Sequence, residues 1–239
     1  MPTETQLQTL IDGRLCVKGK VELWLWTTSS IVSRFQRDYP FMNNIVIRNI
    51  NSVWSNPFSR ELPVAQLHSI FERESRGAFY NYAAASDIVR LMLLYCYGGI
   101  YLDMDVQCKK LDFFLFSELT DIGDRLGILE DRYGYPGNGV LASMPQSRQV
   151  KICLEKMKQL YCSDESRVLS WNIKRDYGAM RMPLTISMSG PQMICDTIQP
   201  EQLYHIKENK YFELIGDRGL SYTLPPKLMR WDSVPDFGH

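Results

Sequence analysis

Two aspartates stand one residue apart, Asp103 and Asp105, in the run Gly98-Gly99-Ile100-Tyr101-Leu102-Asp103-Met104-Asp105-Val106. If residues 100–106 form a strand, alternation sends Ile100, Leu102, Met104 and Val106 to one face and Tyr101, Asp103 and Asp105 to the other. One aromatic and two carboxylates then converge on a single side. A buried strand does not accept two unpaired carboxylates, because their lost hydration must be replaced. The simplest compensating partner is a divalent cation bound together with a polyanionic ligand such as a nucleotide diphosphate. Upstream, Asp87 and Arg90 lie three residues apart. On a helix they share a face and can reach the same neighbour.

These residues need a helix, a sharp stop and a strand to position them. Ala83-Ala84-Ala85 leads into Ser86 and Asp87, and apolar residues follow densely through Tyr95, which predicts a helix. Gly98-Gly99 ends it, since glycine takes the positive φ of a helix C-cap at no steric cost. Before it, Val21–Trp26 (VELWLW) reads as a strand with Thr27-Thr28-Ser29-Ser30 as its exit. A short helix over Ile31–Arg37 follows, then a second strand at Asn44–Ile50. The Pro- and Ser-rich stretch Trp54–Leu67 reads as irregular, and Ser69–Tyr82 as a helical lead-in interrupted by Gly77. Strand, helix, strand, helix, strand is the rhythm of a Rossmann-type sheet. Downstream, Leu126–Glu130 is a short strand, Asp131–Gly139 a glycine-rich loop, Gln146–Tyr161 an amphipathic helix and Leu203–Leu214 the site of late strands. Asp164–Met180 is polar and reads as an insertion.

The block Ala83-Ala84-Ala85-Ser86-Asp87-x-x-Arg90, followed by Gly98-Gly99-x-Tyr101-Leu102-Asp103-x-Asp105, resembles the DXD glycosyltransferases of bacterial toxins and effectors. It is most similar to the glucosyltransferase domains of large clostridial toxins, and more distantly to fungal mannosyltransferases and type III effectors that glycosylate host proteins. The resemblance implies an α/β chain with a GT-A-like, Rossmann-type mixed sheet flanked by helices, in a single domain over 1–239. The nucleotide-sugar and metal half would span about 15–145, and the acceptor side and a C-terminal lid about 146–239. It implies Mn2+ (or Mg2+) as cofactor and a UDP-sugar donor, UDP-N-acetylglucosamine or UDP-glucose.

Carried over residue by residue, Asp105 would bind the metal directly, and Asp103 would contact ribose and reach the metal. Ser86 and Tyr101 would line the nucleotide pocket, while Asp87 and Arg90 would hold sugar hydroxyls. The run Asn138-Gly139-Val140-Leu141-Ala142-Ser143 resembles the family element that approaches the donor sugar, which makes Asn138 a donor contact. Gly137 and Gly139 beside it leave room for a 2-acetamido group, which favours UDP-N-acetylglucosamine; a plain turn explains them equally well. Thr185–Pro191 (TISMSGP) resembles a helix start near the sugar, and serine capping explains it as readily. In the tail, Trp231 corresponds to a tryptophan that meets the leaving phosphate, and Asp232, Ser233 or His239 to a further metal ligand. Family members open on a strand of the type Pro-x-Ile-His-x-x-Trp that supports uracil. None precedes Val21 here, so Trp24 or Trp26 either stacks on the base or packs in the sheet.

Composition sets the outer bounds. The 239 residues are 45% hydrophobic and 12% aromatic, ample for a packed core. Lys+Arg and Asp+Glu balance at 27 each, so no global field recruits nucleic acid or an anionic membrane. Six cysteines without paired spacing and three histidines argue against structural zinc. Cys96 and Cys153 read as reduced core thiols, and the working compartment as a reducing cytosol. No transmembrane segment or secretory leader is visible, so a soluble protein is expected, one that a specialised system could deliver into a host cell. Its acceptor would be a protein, such as a host small GTPase, or a glycan. Two other classes compete. A haloacid-dehalogenase-like phosphatase also uses Asp-x-Asp after a strand, but wants it in the first strand rather than behind a long helix. A transferase fold retained only for binding is the non-enzymatic alternative.

Overall fold

The computed structural model describes residues 22–28, 32, 33, 37, 45–76, 80–103, 106–108, 119–131, 134–163, 184–207 and 212–214. Strand β1 (Leu23–Thr27) pairs in parallel with β2 (Ile45–Asn49), Leu23 opposite Ile45 and Thr27 opposite Asn49. The stretch Trp54–Leu67, expected to be irregular, is instead ordered: it holds the end of a 3-10 turn (Ile50–Ser55), a second 3-10 turn (Pro57–Glu61) and the start of a helix at Val64. Its Asn and Ser residues are the cause. Asn49 and Asn56 accept from the backbone N–H groups of Asn51 and Phe58, and Ser59 Oγ donates to the Asn56 carbonyl. Short polar side chains thus satisfy the groups a turn leaves open. Helix α1 (Val64–Ser75) starts earlier than the pattern predicted and buries Leu67, Ile70, Phe71 and Glu74, an i, i+3, i+4, i+7 stripe. Gly77 and most of the helix expected over 31–37 lie outside the described residues.

Helix α2 (Tyr82–Tyr97) is buried nearly all round, from Ala84 through Cys96 with Ser86 the one partly open position. Asn81 caps it by accepting from the Ala84 N–H at 3.4 Å. Gly98 and Gly99 end it at φ 66° and 91°, and a Cβ on Gly98 would sit 2.6 Å from Pro145. The predicted double-glycine stop holds, and at Gly98 close packing enforces it.

The principal sheet has the order β3-β6-β5-β7. Here β3 is Gly99–Leu102, and short β4 (Val106–Cys108) and α3 (Leu119–Ile122) follow it. Next come β5 (Leu126–Glu130) and β6 (Pro136–Ser143). Helices α4 (Arg148–Cys162) and α5 (Pro191–Thr197) precede β7 (Leu203–Lys207) and β8 (Phe212–Leu214). Pairing is antiparallel at β3/β6 and β5/β6, and parallel at β5/β7. The sheet is mixed, as expected, with helices packed on it.

Two expectations are corrected. The strand foreseen over 100–106 is split: β3 ends at Leu102 and β4 pairs with β8 instead. The Asp103 N–H still donates to the Gly139 carbonyl at 2.8 Å, in register with β6, and the Val106 N–H then donates back to the Asp103 carbonyl at 3.1 Å. The loop foreseen over 131–139 is shorter than that. A turn at Asp131–Tyr135, with Gly134 at φ 87°, delivers the chain into β6, so Gly137, Asn138 and Gly139 are strand residues. The reading of Gly137 and Gly139 as a turn is thereby excluded. One apolar cluster joins α1, α2, α4 and α5 to β5 and β6, and a second lies beyond the sheet around Val140, Ile206 and Phe212. Cys96 and Cys153 are buried free thiols.

Candidate active site

Three elements meet at one point. Helix α2 offers Ser86, Asp87 and Arg90; the end of β3 offers Tyr101 and Asp103; β6 offers Asn138. The i, i+3 spacing on α2 puts Asp87 Oδ1 3.3 Å from Arg90 Nη2, both residues buried at 4% and 5% exposure. Arg90 Nη1 reaches Asp103 Oδ2 at 3.2 Å and also donates to the Asn138 carbonyl. Its other nitrogens bond Ser86, Nη2 to the hydroxyl at 3.0 Å and Nε to the carbonyl at 3.4 Å. The guanidinium lies 4.8 Å from the Tyr101 ring centroid, a cation–π contact. Tyr101 donates its hydroxyl to Asp103 Oδ1 at 2.8 Å and sits 3.3 Å from Ser86 Oγ. Asn138 Nδ2 donates to Asp87 Oδ1 at 2.7 Å.

Alternation along β3 therefore holds for its polar face. Tyr101 and Asp103 lie together, while Ile100 and Leu102 pack on the opposite cluster. Among the described residues, Arg90 and Tyr101 are the partners of Asp103. The buried ion pair foreseen as an alternative for Asp87 and Arg90 is present, and it extends to Asp103.

The electrostatics follow from burial. Desolvation pushes the Asp87 carboxyl above its ordinary value of 3.8; Arg90 and the hydrogen bonds from Ser189 and Asn138 pull the other way. Desolvation works against the Arg90 cation, but Tyr101, Asp87 and Asp103 together hold it protonated beyond its usual range. Burial pushes the Tyr101 hydroxyl up to about 12, so it stays a donor at neutral pH.

Asp103 differs from its neighbours in having an open side, its side chain being 31% exposed. Each of its oxygens accepts one hydrogen bond and keeps lone-pair capacity toward the open side. An oxygen donor of this kind fits Mn2+ or Mg2+. Among the described residues, no three His, Cys, Asp or Glu side chains gather as a complete metal shell. Asp105, Trp231, Asp232, Ser233 and His239 lie outside the described residues.

Beside the polar cluster opens a cleft of about 970 Å³, walled by Trp24 and Trp26 of β1, Tyr97 and Ser86 of α2 and Tyr101 of β3. Small-molecule sites run to roughly 300–1,000 Å³. Trp26 stands 5.2 Å from Tyr97 between ring centroids, and Trp24 stands 5.3 Å from it. Arg48 covers Trp24 at 4.5 Å. The two tryptophans thus pack on each other and on α2 while also facing the cleft.

Four residues were given no individual role from the sequence, two of them (Thr185 and Ser189) within the run already read as lying near the sugar. Ser189 Oγ donates to Asp87 Oδ2 at 2.8 Å, Tyr161 Oη stands 3.5 Å from Ser189 Oγ, and Asn81 Nδ2 donates to Thr185 Oγ1 at 2.8 Å. The TISMSGP motif was the available signal. Its serine does not cap the following helix, as had been considered; Gly190 occupies that N-cap and Ser189 turns inward.

Residues 18–112 match the family described as the glycosyltransferase sugar-binding region containing a DXD motif. An uncharacterized glycosyltransferase of Acanthamoeba polyphaga mimivirus is 28% identical over 135 residues, which cover 52% of this chain and 48% of that protein. The match thus spans about half of the relative's length. Among solved structures, the PaToxG glycosyltransferase superposes with a TM-score of 0.57 at 16% identity, over 83% of this chain and 64% of that one. The two share a fold. The UDP-bound glycosyltransferase domain from the YGT toxin aligns with a TM-score of 0.48 at 15% identity, over 74% of this chain and 56% of that one.

Proposed function

We propose that this chain, whose residues 18–112 carry the DXD-containing glycosyltransferase sugar-binding region, is a metal-dependent glycosyltransferase using a UDP-sugar. The observation that carries the reading is the buried chain Asp87–Arg90–Asp103, braced by Asn138 and Tyr101 and ending in one partly open carboxylate. A charged network held in a low-dielectric setting is costly to bury, and such networks concentrate where polar ligands are bound. Sugar hydroxyls and a diphosphate are such ligands.

Asp103, with Asp105, would hold Mn2+ or Mg2+, which when bound neutralises charge on the leaving diphosphate. Asp87 accepts from sugar hydroxyls, and Arg90 keeps Asp87 and Asp103 oriented toward one another. Tyr101 keeps its proton and aims Asp103. Asn138 lies between Arg90 and Asp87 where a pyranose ring would rest. Free space beside Gly137, where an added Cβ would meet nothing within 4 Å, supports UDP-N-acetylglucosamine over UDP-glucose; Gly139 adds no such room, since a Cβ there would lie 3.4 Å from Asp103 Oδ2. Ser86 and Tyr101 face the cleft and suit the nucleotide, with Trp24 or Trp26 as a stacking surface for uracil. Trp231, Asp232, Ser233 and His239 complete the proposal as a closing segment of the single catalytic domain, and anomeric retention goes with it. The acceptor proposed is a protein, such as a host small GTPase, or a glycan, modified by a toxin or effector acting in a reducing cytosol.

The test is hydrolysis of a panel of nucleotide sugars with and without Mn2+. The expected outcome is turnover of UDP-N-acetylglucosamine above UDP-glucose, lost in Asp103→Ala/Asp105→Ala. Absence of turnover, together with no heat of UDP binding when metal is present, overturns the transferase reading in favour of a binding module.

A further inference from the structure

Asp87 has two carboxylate oxygens with different tasks. Oδ1 takes the Asn138 amide at 2.7 Å and the Arg90 guanidinium at 3.3 Å. Oδ2 is held by a group from far along the chain, the Ser189 hydroxyl, at 2.8 Å. Ser189 is 1% exposed and bonds Asp87 Oδ2, so it would act on a bound sugar through that carboxylate. Its single proton has two acceptors in reach, Asp87 Oδ2 and the Thr185 carbonyl at 3.2 Å. The shorter bond to the charged oxygen takes it.

The local backbone is built to bring that hydroxyl in. The helical turn at 184–188 closes with the Ser189 and Gly190 N–H groups both donating to the Thr185 carbonyl, at 3.0 and 2.9 Å. This tight closure needs glycine at 190, since a Cβ there would lie 2.8 Å from the Ile186 Cα. A second clasp, Asn81 to Thr185 at 2.8 Å, ties the same turn to the cap of α2. Tyr161 of α4 backs Ser189 from behind, and Arg73 lies over its ring at 5.2 Å. The segment 184–190 is thus fastened to α2 at two points, the cap and Asp87.

We propose that Ser189 is a positioning residue for Asp87, locking Oδ2 so that Oδ1 is presented toward Asn138, Arg90 and the bound sugar. This rests on the transferase reading above for its catalytic consequence, but not for the contact itself. A carboxylate freed of this bond can rotate about its terminal torsion, which is broad, and geometric error at a reacting group lowers turnover steeply.

The experiment has two arms. In the kinetic arm, hydrolysis of the UDP-sugar chosen by the panel is measured for Ser189→Ala and Ser189→Thr. Expected are a fall in kcat of about tenfold to a hundredfold for Ser189→Ala with KM little changed, and recovery in Ser189→Thr, which keeps the hydroxyl. Unchanged kcat in Ser189→Ala overturns the proposal. In the stability arm, urea midpoints of Ser189→Ala, Asp87→Ala and the double variant form a cycle. The expected result is a smaller midpoint shift for Ser189→Ala when Asp87 is already gone; an additive cycle overturns the proposal. If the wild-type chain turns over no sugar, the transferase reading falls, and the cycle still decides whether Ser189 holds Asp87.

Discussion

At the scale of single residues, the site is a chain of charges whose members depend on one another. Arg90 serves Asp87, Asp103 and the Asn138 carbonyl at once. Replacing it with methionine fills its volume but leaves two carboxylates facing each other without a counter-ion. Breaking a buried pair in this way costs about 3–5 kcal/mol, so Arg90→Met is expected to lower the urea midpoint markedly and abolish UDP-sugar turnover. Asp87 supplies a pH dependence. Its folded value lies above 3.8 because burial disfavours the anion. A raised acid contributes most stability below 3.8 and loses that contribution as pH rises through its folded value. Asn at 87 mimics the neutral acid and does not titrate. Asp87→Asn is therefore expected to gain stability relative to wild type between pH 4 and pH 7, as read by urea melts at both. A constant difference would show that Asp87 titrates as an exposed carboxyl does. These residues were legible early because charge is rare inside proteins, and Asp87, Arg90, Asp103 and Tyr101 all carry it or a hydroxyl. Ser189 was not, since serine is common and its spacing announced a helix start.

At the scale of elements, the junction between α2 and β3 decides where the site residues stand. Gly98 and Gly99 both have positive φ, but only Gly98 is packed against Pro145. Gly99→Ala is expected to cost about 1–2 kcal/mol from backbone strain alone. Gly98→Ala adds a clash, with overpacking typically worth about 1–3 kcal/mol more. Equal losses for the two variants in thermal or urea unfolding would show that the Pro145 contact yields freely. The split of the foreseen strand at Asp103 also belongs to this scale. Alternation in the sequence runs unbroken from Ile100 to Val106, yet β3 pairs with β6 while Val106–Cys108 pairs with β8. Those partners lie dozens of residues away, and local periodicity carries no information about them. The same holds for Gly137–Gly139, where glycines suggestive of a loop lie in β6, Gly137 opposite Leu129 of β5 and the Gly139 carbonyl taking the Asp103 N–H.

For the whole molecule, residues from both halves of the chain must be assembled before the site exists. Asp87, Arg90, Tyr101, Asp103 and Asn138 precede residue 145, while Tyr161, Thr185 and Ser189 follow it. Ligand binding should therefore stabilise the fold as a unit. At a concentration near a hundred times Kd, linkage adds about 2.7 kcal/mol, which is several degrees of Tm for a chain of this size. UDP with Mn2+ is expected to raise Tm in the wild type and leave Asp103→Ala unmoved; no shift in either would count against the nucleotide site. No described helix is long and apolar enough to cross a membrane. By itself the sequence determined the helix and its glycine stop, a strand directly after that stop with Tyr101 and Asp103 on one face, the sharing of one face by Asp87 and Arg90, and the α/β class. Each of these rests on covalent geometry and on periodicity within a few residues. Only the tertiary structure decided that Arg90 pairs with both Asp87 and Asp103. It alone decided that Asn138 approaches from a strand, and that Ser189 reaches back to Asp87. Those facts depend on which distant groups meet when the sheet closes and the helices pack, and a buried polar group left without a partner is costly.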